Sequence, residues 1–182
     1  MTSTRLVWIC AALWLIIKLA MRSWVSIEDN VIIGVMVNMF FIILIAVFAI
    51  RYKYLNTPEG ESTLLDSIKD TCKATVTYAV IATILVGSYY FVISPTEVQQ
   101  RKALAEQQIE EIITEDYLNQ MKAENPVLES LVLEDYKQQQ LDNAYWMYSP
   151  VIQITLSLIA LVVCALIYGI LITVLWRTFM TS

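Results

Sequence analysis

Four long apolar runs restrict what this chain can fold into more than any other feature. They cover Leu6–Val25, Val31–Ile50, Ala74–Ile93 and Val151–Trp176, and each is long enough for a helix to cross a hydrocarbon core of about 30 Å. With 58 % hydrophobic residues and a mean hydropathy of +0.60, the chain is too apolar for a soluble domain, where roughly 45–50 % is usual. The runs predict an all-α integral membrane protein with four transmembrane helices in contact with a lipid bilayer.

A polar segment at residues 95–148 separates the third run from the fourth. It holds eleven of the seventeen carboxylates but only four of the twelve lysines and arginines, so its net charge is −7 against −5 for the whole chain. Apolar residues follow helical spacing on both sides of a break at Asn125-Pro126. Because both ends of the segment return to one membrane surface, we predict an antiparallel helical hairpin with its tip near this break. Its apolar stripes would face each other or form a partner surface, with candidate residues Ile109, Ile112, Ile113, Tyr117, Leu128, Leu131, Val132 and Tyr136.

The chain accordingly divides into three parts. Residues 1–94 hold the first three spans and an interfacial amphipathic helix at 63–73, which begins with a capping-box pattern at Thr63 and Asp66. Residues 95–148 form the acidic extramembrane hairpin, and residues 149–182 form the fourth span and the C-terminus.

Polar and small residues inside the spans predict how the helices pack. Lys18 is the one charge well inside a run, and at the bilayer centre a lysine costs roughly 2.5–3.5 kcal/mol. We interpret Lys18 as a snorkelling lysine whose stem climbs toward the interface, where Glu28 or Asp29 could pair with it. The alternative is an intramembrane polar site formed by Lys18 and Asn38. Small or polar residues spaced four apart predict helix-packing faces, and these are Gly34, Asn38, Thr75, Ala79, Thr83, Gly87, Ala165, Gly169 and Thr173.

The composition argues against catalysis inside the membrane. The chain has no histidine, and the last three runs contain no Asp, Glu, Lys or Arg, whereas an active site needs ionisable or nucleophilic groups gathered at one depth. Cys10, Cys72 and Cys164 show no CxxC spacing and are interpreted as small packing residues. We therefore expect no catalytic residue, no cofactor, no metal site and no nucleic-acid partner.

The distribution of basic residues predicts the orientation. Four spans place both termini and the loop of residues 51–73 on one side of the membrane, together with Arg5, Arg51, Lys53, Lys69, Lys73 and Arg177. On the other side only Arg22, Arg101 and Lys102 lie close to a span. The positive-inside rule then predicts cytoplasmic termini and an outward hairpin.

Three stretches of the chain resemble a domain-of-unknown-function family of small four-span bacterial inner-membrane proteins. They are Leu64–Lys69, the end of the third run with its proline at Tyr89–Pro95, and the end of the last run at Leu171–Arg177. Members more often have Asn than Ser before that proline, so Ser94 departs slightly from the pattern. The resemblance implies a bacterial inner membrane, which would make the hairpin periplasmic, and it brings no activity or cofactor.

Three hypotheses for the function follow. The first is a non-enzymatic scaffold or accessory subunit whose acidic hairpin docks a protein partner in the cell envelope. The second is a homo-oligomeric pore or small-solute facilitator with Lys18 and Asn38 facing the lumen. The third is a sensor that reads divalent cations through Glu110, Glu111, Glu115 or Asp116, although one helix cannot direct all four carboxylates to a single ion.

Overall fold

The computed structural model describes residues 3–57, 62–125 and 128–180, and the regular secondary structure in these ranges is entirely helical. Four of the helices are long and apolar enough to cross a membrane, which confirms the predicted all-α, four-span fold. The α-helices in chain order are α1 (Ser3–Met21), α2 (Ile27–Asn56), α3 (Leu64–Ser88), α4 (Pro95–Ile112), α5 (Glu115–Glu124), α6 (Leu133–Met147) and α7 (Pro150–Met180), and α3 continues into a π-helical turn at Tyr89–Ile93.

Helix α3 differs from the prediction of a separate interfacial helix at 63–73. The capping box is confirmed, because the Thr63 hydroxyl accepts from the Asp66 amide and the Asp66 carboxylate accepts from the Thr63 amide. From there, however, one uninterrupted helix runs to Ser88. Ser67 and Thr71 are buried in its first turns, whereas Leu65 is 74 % exposed. Residues 64–73 are therefore the first turns of the same helix as the third span, and their position at the interface stays a prediction.

The chain forms two compact units, and the first contains α1, α2, α3 and most of α7. In this membrane unit α1, α2 and α3 pack against one another in all three pairs. The largest fully buried side chains include Trp14, Ile42, Ile45 and Tyr78. The outward faces of the spans are apolar and exposed, as expected for helices surrounded by lipid acyl chains.

The second unit, residues 90–153, is the hairpin. Contacts between α4 and α6 run antiparallel: Arg101 meets the ring of Tyr148, and Lys102 meets the ring of Tyr145. Further along the same register, Ile113 and Tyr136 share a small hydrophobic core. The predicted out-and-back path of the chain is therefore present between α4 and α6.

The first arm of the hairpin is not one straight helix. Helix α4 ends at Ile112, and Thr114 caps a new helix, α5, by accepting a hydrogen bond from the Tyr117 amide. The break turns Ile113 into the hairpin core, where it is 6 % exposed. Pro126, half of the expected tip, lies outside the described residues, and Asn125 is the C-cap of α5.

Candidate functional site

The most unusual group in the membrane unit is a buried lysine near the end of α1. Lys18 is only 1 % exposed, and its Nζ donates to the backbone oxygen of Asn30 at 2.9 Å and to Asn30 Oδ1 at 2.8 Å. The same ammonium lies 5.0 Å from the centroid of the Tyr89 ring, within the range of a cation–π interaction. Oxygen atoms and an aromatic face thus replace part of the water that the ammonium loses on burial.

The absence of a side chain at Gly34 leaves space for this lysine between α1 and α2. A Cβ atom at Gly34 would lie 3.1 Å from Lys18 Cδ and 3.3 Å from its Nζ, so the missing side chain lets the lysine lie against α2. Trp14, one turn earlier on the same face of α1, donates from Nε1 to the Gly34 oxygen at 3.0 Å. Its ring meets the Tyr89 ring edge-on at 6.3 Å. Residues from α1, α2 and the end of α3 therefore form one buried cluster, called the lysine cluster below: Trp14, Lys18, Asn30, Gly34 and Tyr89.

From the sequence, Lys18 was expected to pair with Glu28 or Asp29 near the interface, and the structure gives it Asn30 as a partner. The Lys18 side chain lies inside the bundle, because Gly34 and Asn30 offer space and two acceptors there. The sequence analysis did not identify Asn30, Trp14 or Tyr89 as partners of Lys18. One signal was available, because Asn30 extends the Gly34–Asn38 face of α2 by one turn at the same spacing of four.

Asn38, the second residue of the expected polar site, has a different partner from Lys18. Its Oδ1 accepts from the Tyr78 hydroxyl at 2.7 Å, and both side chains are buried. The Tyr78 ring also meets Phe41 edge-on at 6.2 Å. The amide of Asn38 therefore links α2 to α3 inside the bundle.

Four of the small residues expected at helix-packing faces, Thr75, Gly87, Ala165 and Gly169, lie where α3 meets α7. Thr75 Oγ1 donates to the Ala165 oxygen at 3.0 Å, which is a direct bond between the two helices. A Cβ atom on Gly169 would lie 3.0 Å from Cys72 Sγ, and one on Gly87 would lie 3.0 Å from Ile154 Cδ1. The hydroxyls of the other two threonines stay within their own helices, where Thr83 donates to Ala79 and Thr173 donates to Gly169. Ala79 is fully buried.

In the hairpin unit, most of the candidate partner-surface residues pack with one another. Ile113, Leu118 and Tyr136 form the buried centre, and around it lie Ile109, Tyr117, Leu128, Leu131 and Leu133. Two residues of the expected surface remain accessible, because Ile112 and Val132 are each 61 % exposed. The hairpin thus uses its apolar stripes mainly to hold its own arms together.

The outside of the hairpin is predominantly acidic. Nine of its eleven carboxylates are exposed: Glu110, Glu111, Glu115, Asp116, Glu124, Glu129, Glu134, Asp135 and Asp142. Glu97 is buried and accepts from the Ser94 hydroxyl at 2.9 Å, and Glu106 accepts from the Tyr145 hydroxyl. The hydrogen bond to Glu106 raises the pKa of Tyr145 above its ordinary value, so this tie between α4 and α6 holds its proton throughout the neutral range.

The cation-sensor hypothesis requires carboxylates that gather at one place among the described residues. Within them, no three His, Cys, Asp or Glu side chains gather in a way that could hold a metal ion. Comparison of the chain with protein-family models, curated proteins and solved structures found no match. A functional assignment therefore depends on the geometry of the lysine cluster and the hairpin.

Proposed function

We propose that this chain is a non-enzymatic scaffold or accessory subunit of a membrane complex, and that its acidic hairpin docks a partner protein. The observation that carries the proposal is the construction of the hairpin. Its two arms enclose a core of their own around Ile113, Leu118 and Tyr136, while nine carboxylates face outward. A segment built in this way presents a fixed pattern of negative charge.

The charge favours a basic protein surface as the partner. Anionic lipid head groups repel a segment of net charge −7, whereas helices that lie on membranes have basic polar faces. A basic groove would be drawn to the carboxylates over about 10 Å at ordinary ionic strength. The exposed side chains of Ile112 and Val132 add apolar area for the contact itself.

The proposed location is a bacterial inner membrane with cytoplasmic termini and a periplasmic hairpin. The basic residues near the span ends support this orientation through the positive-inside rule, and the family resemblance supports the bacterial membrane. In the membrane unit, Arg177 near the end of α7 donates from Nε to the Tyr54 hydroxyl at 3.1 Å near the end of α2. This contact agrees with α2 and α7 ending on the same side.

The experiment that tests the proposal changes the hairpin charge without touching its core. Neutralising Glu110, Glu111, Glu115 and Asp116 together, as Gln and Asn, should release proteins that co-purify with the intact chain at fixed stoichiometry in mild detergent. Raising the salt concentration should release the same proteins, because the attraction is screened. Deletion of residues 96–148 should remove them completely.

A matched control exchanges the same four residues while keeping their charge: Glu110→Asp, Glu111→Asp, Glu115→Asp and Asp116→Glu. We expect this variant to retain its companions, because the pattern of charge is preserved. If every stoichiometric companion stays bound to both the neutralised and the deleted variants, the hairpin is not the docking element.

A further inference from the structure

A cleft with a volume of about 400 Å³ opens in the membrane unit between the first turns of α1, the last turns of α2 and the beginning of α3. Its apolar lining comes from Val7, Ala49 and Ala74, of which Val7 and Ala49 are buried. Its polar lining includes two lysines, Lys53 and Lys73. The cleft therefore combines an apolar floor with cationic walls at the end of three spans.

The charges of the cleft leave one positive charge in excess. Lys53 and Lys73 contribute two, and Asp70 is the one carboxylate among the lining residues. Asp70 pairs with Lys53 at 2.6 Å, which leaves Lys73 as the uncompensated cation. Among the described residues the Lys73 ammonium has no ionic or hydrogen-bonding partner. A ligand with a single negative charge would bring the net charge of the cleft to zero.

The neutral donors around the cleft fit an oxyanion. Ser3 and Thr4 line it from the first described turn of α1, and their hydroxyls can donate hydrogen bonds to an anion. The phenol of Tyr52 supplies a further hydroxyl from α2. A phosphodiester carries one negative charge and several acceptor oxygens, so it matches both the charge and the donors.

The position of the cleft indicates where such a phosphate comes from. Lysines and arginines at the ends of spans lie at the level of the lipid head groups, and basic pockets between transmembrane helices bind anionic head groups there. Leu55 is 74 % exposed on α2 and Phe48 is 42 % exposed about two turns earlier, which provides apolar surface for acyl chains.

We propose that this cleft binds the phosphate of an anionic phospholipid head group, held by Lys73 with help from Lys53 and the hydroxyls of α1 and α2. The inference concerns the membrane unit and is independent of the function proposed for the hairpin. Asp70 then acts as a built-in competitor, because it occupies Lys53 and repels the same phosphate.

The test is isothermal titration calorimetry of the purified full-length protein in neutral detergent. Short-chain phosphatidylglycerol, short-chain phosphatidylcholine and inorganic phosphate are titrated in separate experiments. Phosphatidylglycerol should bind, and phosphatidylcholine should bind at least tenfold more weakly. Lys73→Gln should weaken phosphatidylglycerol binding about fivefold, as expected for one basic residue near a membrane surface. Lys69→Gln should leave it unchanged, because Lys69 is an exposed lysine one turn away on α3 that does not line the cleft.

Asp70→Asn is expected to strengthen phosphatidylglycerol binding, whereas a folding defect would weaken it. It removes the competing carboxylate and should tighten phosphatidylglycerol binding about fivefold by the same electrostatic argument. The proposal is overturned if Lys73→Gln and Lys69→Gln bind phosphatidylglycerol equally, if Asp70→Asn weakens binding, or if phosphatidylcholine binds as well as phosphatidylglycerol. Binding of inorganic phosphate without phosphatidylglycerol would overturn the lipid as its source and assign the cleft to a soluble phosphate.

Discussion

At the scale of single residues, the membrane unit shows how a bilayer protein keeps polar groups inside. Lys18 has the two acceptors of Asn30 and the ring of Tyr89, and Asn38 has the hydroxyl of Tyr78. Without water to compensate them, such groups are tolerated because each has a partner on a neighbouring helix. Both arrangements join α2 to another span, so the polar groups also set which faces of the helices meet.

The Asn38–Tyr78 pair gives a prediction at this scale. Tyr78→Phe should destabilise the protein by about 1 kcal/mol, because the buried Asn38 oxygen loses its donor. Asn38→Ala should cost a similar amount plus the effect of a small cavity. The double variant should be more stable than the sum of the two changes predicts, since the lost bond is counted only once. Reversible unfolding in mixed micelles measures all three free energies.

Tyr168→Phe serves as the control for removing a hydroxyl from a transmembrane tyrosine, because Tyr168 lies on α7 and is only half-buried. We expect it to change the free energy of unfolding by a few tenths of a kcal/mol, as for other substitutions away from buried hydrogen bonds. Strict additivity of Asn38→Ala and Tyr78→Phe would show that the two side chains do not depend on each other.

At the scale of elements, periodicity predicted the spans and the hairpin but not their internal details. Runs of apolar residues report only that a helix is long enough, and they cannot show that Ser67 and Thr71 turn into the bundle and make α3 continuous. The break between α4 and α5 was equally hidden, because its position coincides with a tertiary contact, the packing of Ile113 into the hairpin core beside the cap Thr114. In both elements the detail that the sequence did not predict involves tertiary packing.

The hairpin core gives the prediction at this scale. Tyr136→Ala removes the largest of its three buried side chains, and substitutions of this kind cost about 3–5 kcal/mol in a well-packed core. Since the hairpin core is small, we expect its arms to separate while the spans remain folded. Hydrogen–deuterium exchange of the whole protein should show faster exchange within residues 95–148 and unchanged protection in α1, α2 and α3.

Leu104→Ala is the matched control on the hairpin, because Leu104 is an apolar residue of α4 that is 40 % exposed. Its truncation should leave exchange in the hairpin nearly unchanged. Equal exchange rates in Tyr136→Ala and Leu104→Ala would mean that the arms do not depend on the core around Tyr136.

At the scale of the whole molecule, the number of spans has consequences that no single helix shows. An even number of crossings returns the chain to the side from which it started, and the contact of Arg177 with Tyr54 agrees with this parity. The lysines and arginines of the loop at residues 51–73, with Arg5 and Arg177, then share one face of the membrane. Charge asymmetry of this kind sets the orientation during insertion, and we predict from it that the hairpin occupies the opposite side.

The final prediction tests this orientation in a variant whose Cys10, Cys72 and Cys164 have been replaced by alanine. A cysteine introduced at Asn125, which is exposed at the end of α5, should react with a membrane-impermeant maleimide in intact cells. A cysteine at Lys69, exposed near the start of α3, should react only after the cells are broken open. The two sites differ because three spans separate the N-terminus from the hairpin, whereas two separate it from Lys69. The reverse pattern would place the hairpin in the cytoplasm and exclude a periplasmic partner, and equal labelling in intact cells would contradict the four-span topology itself.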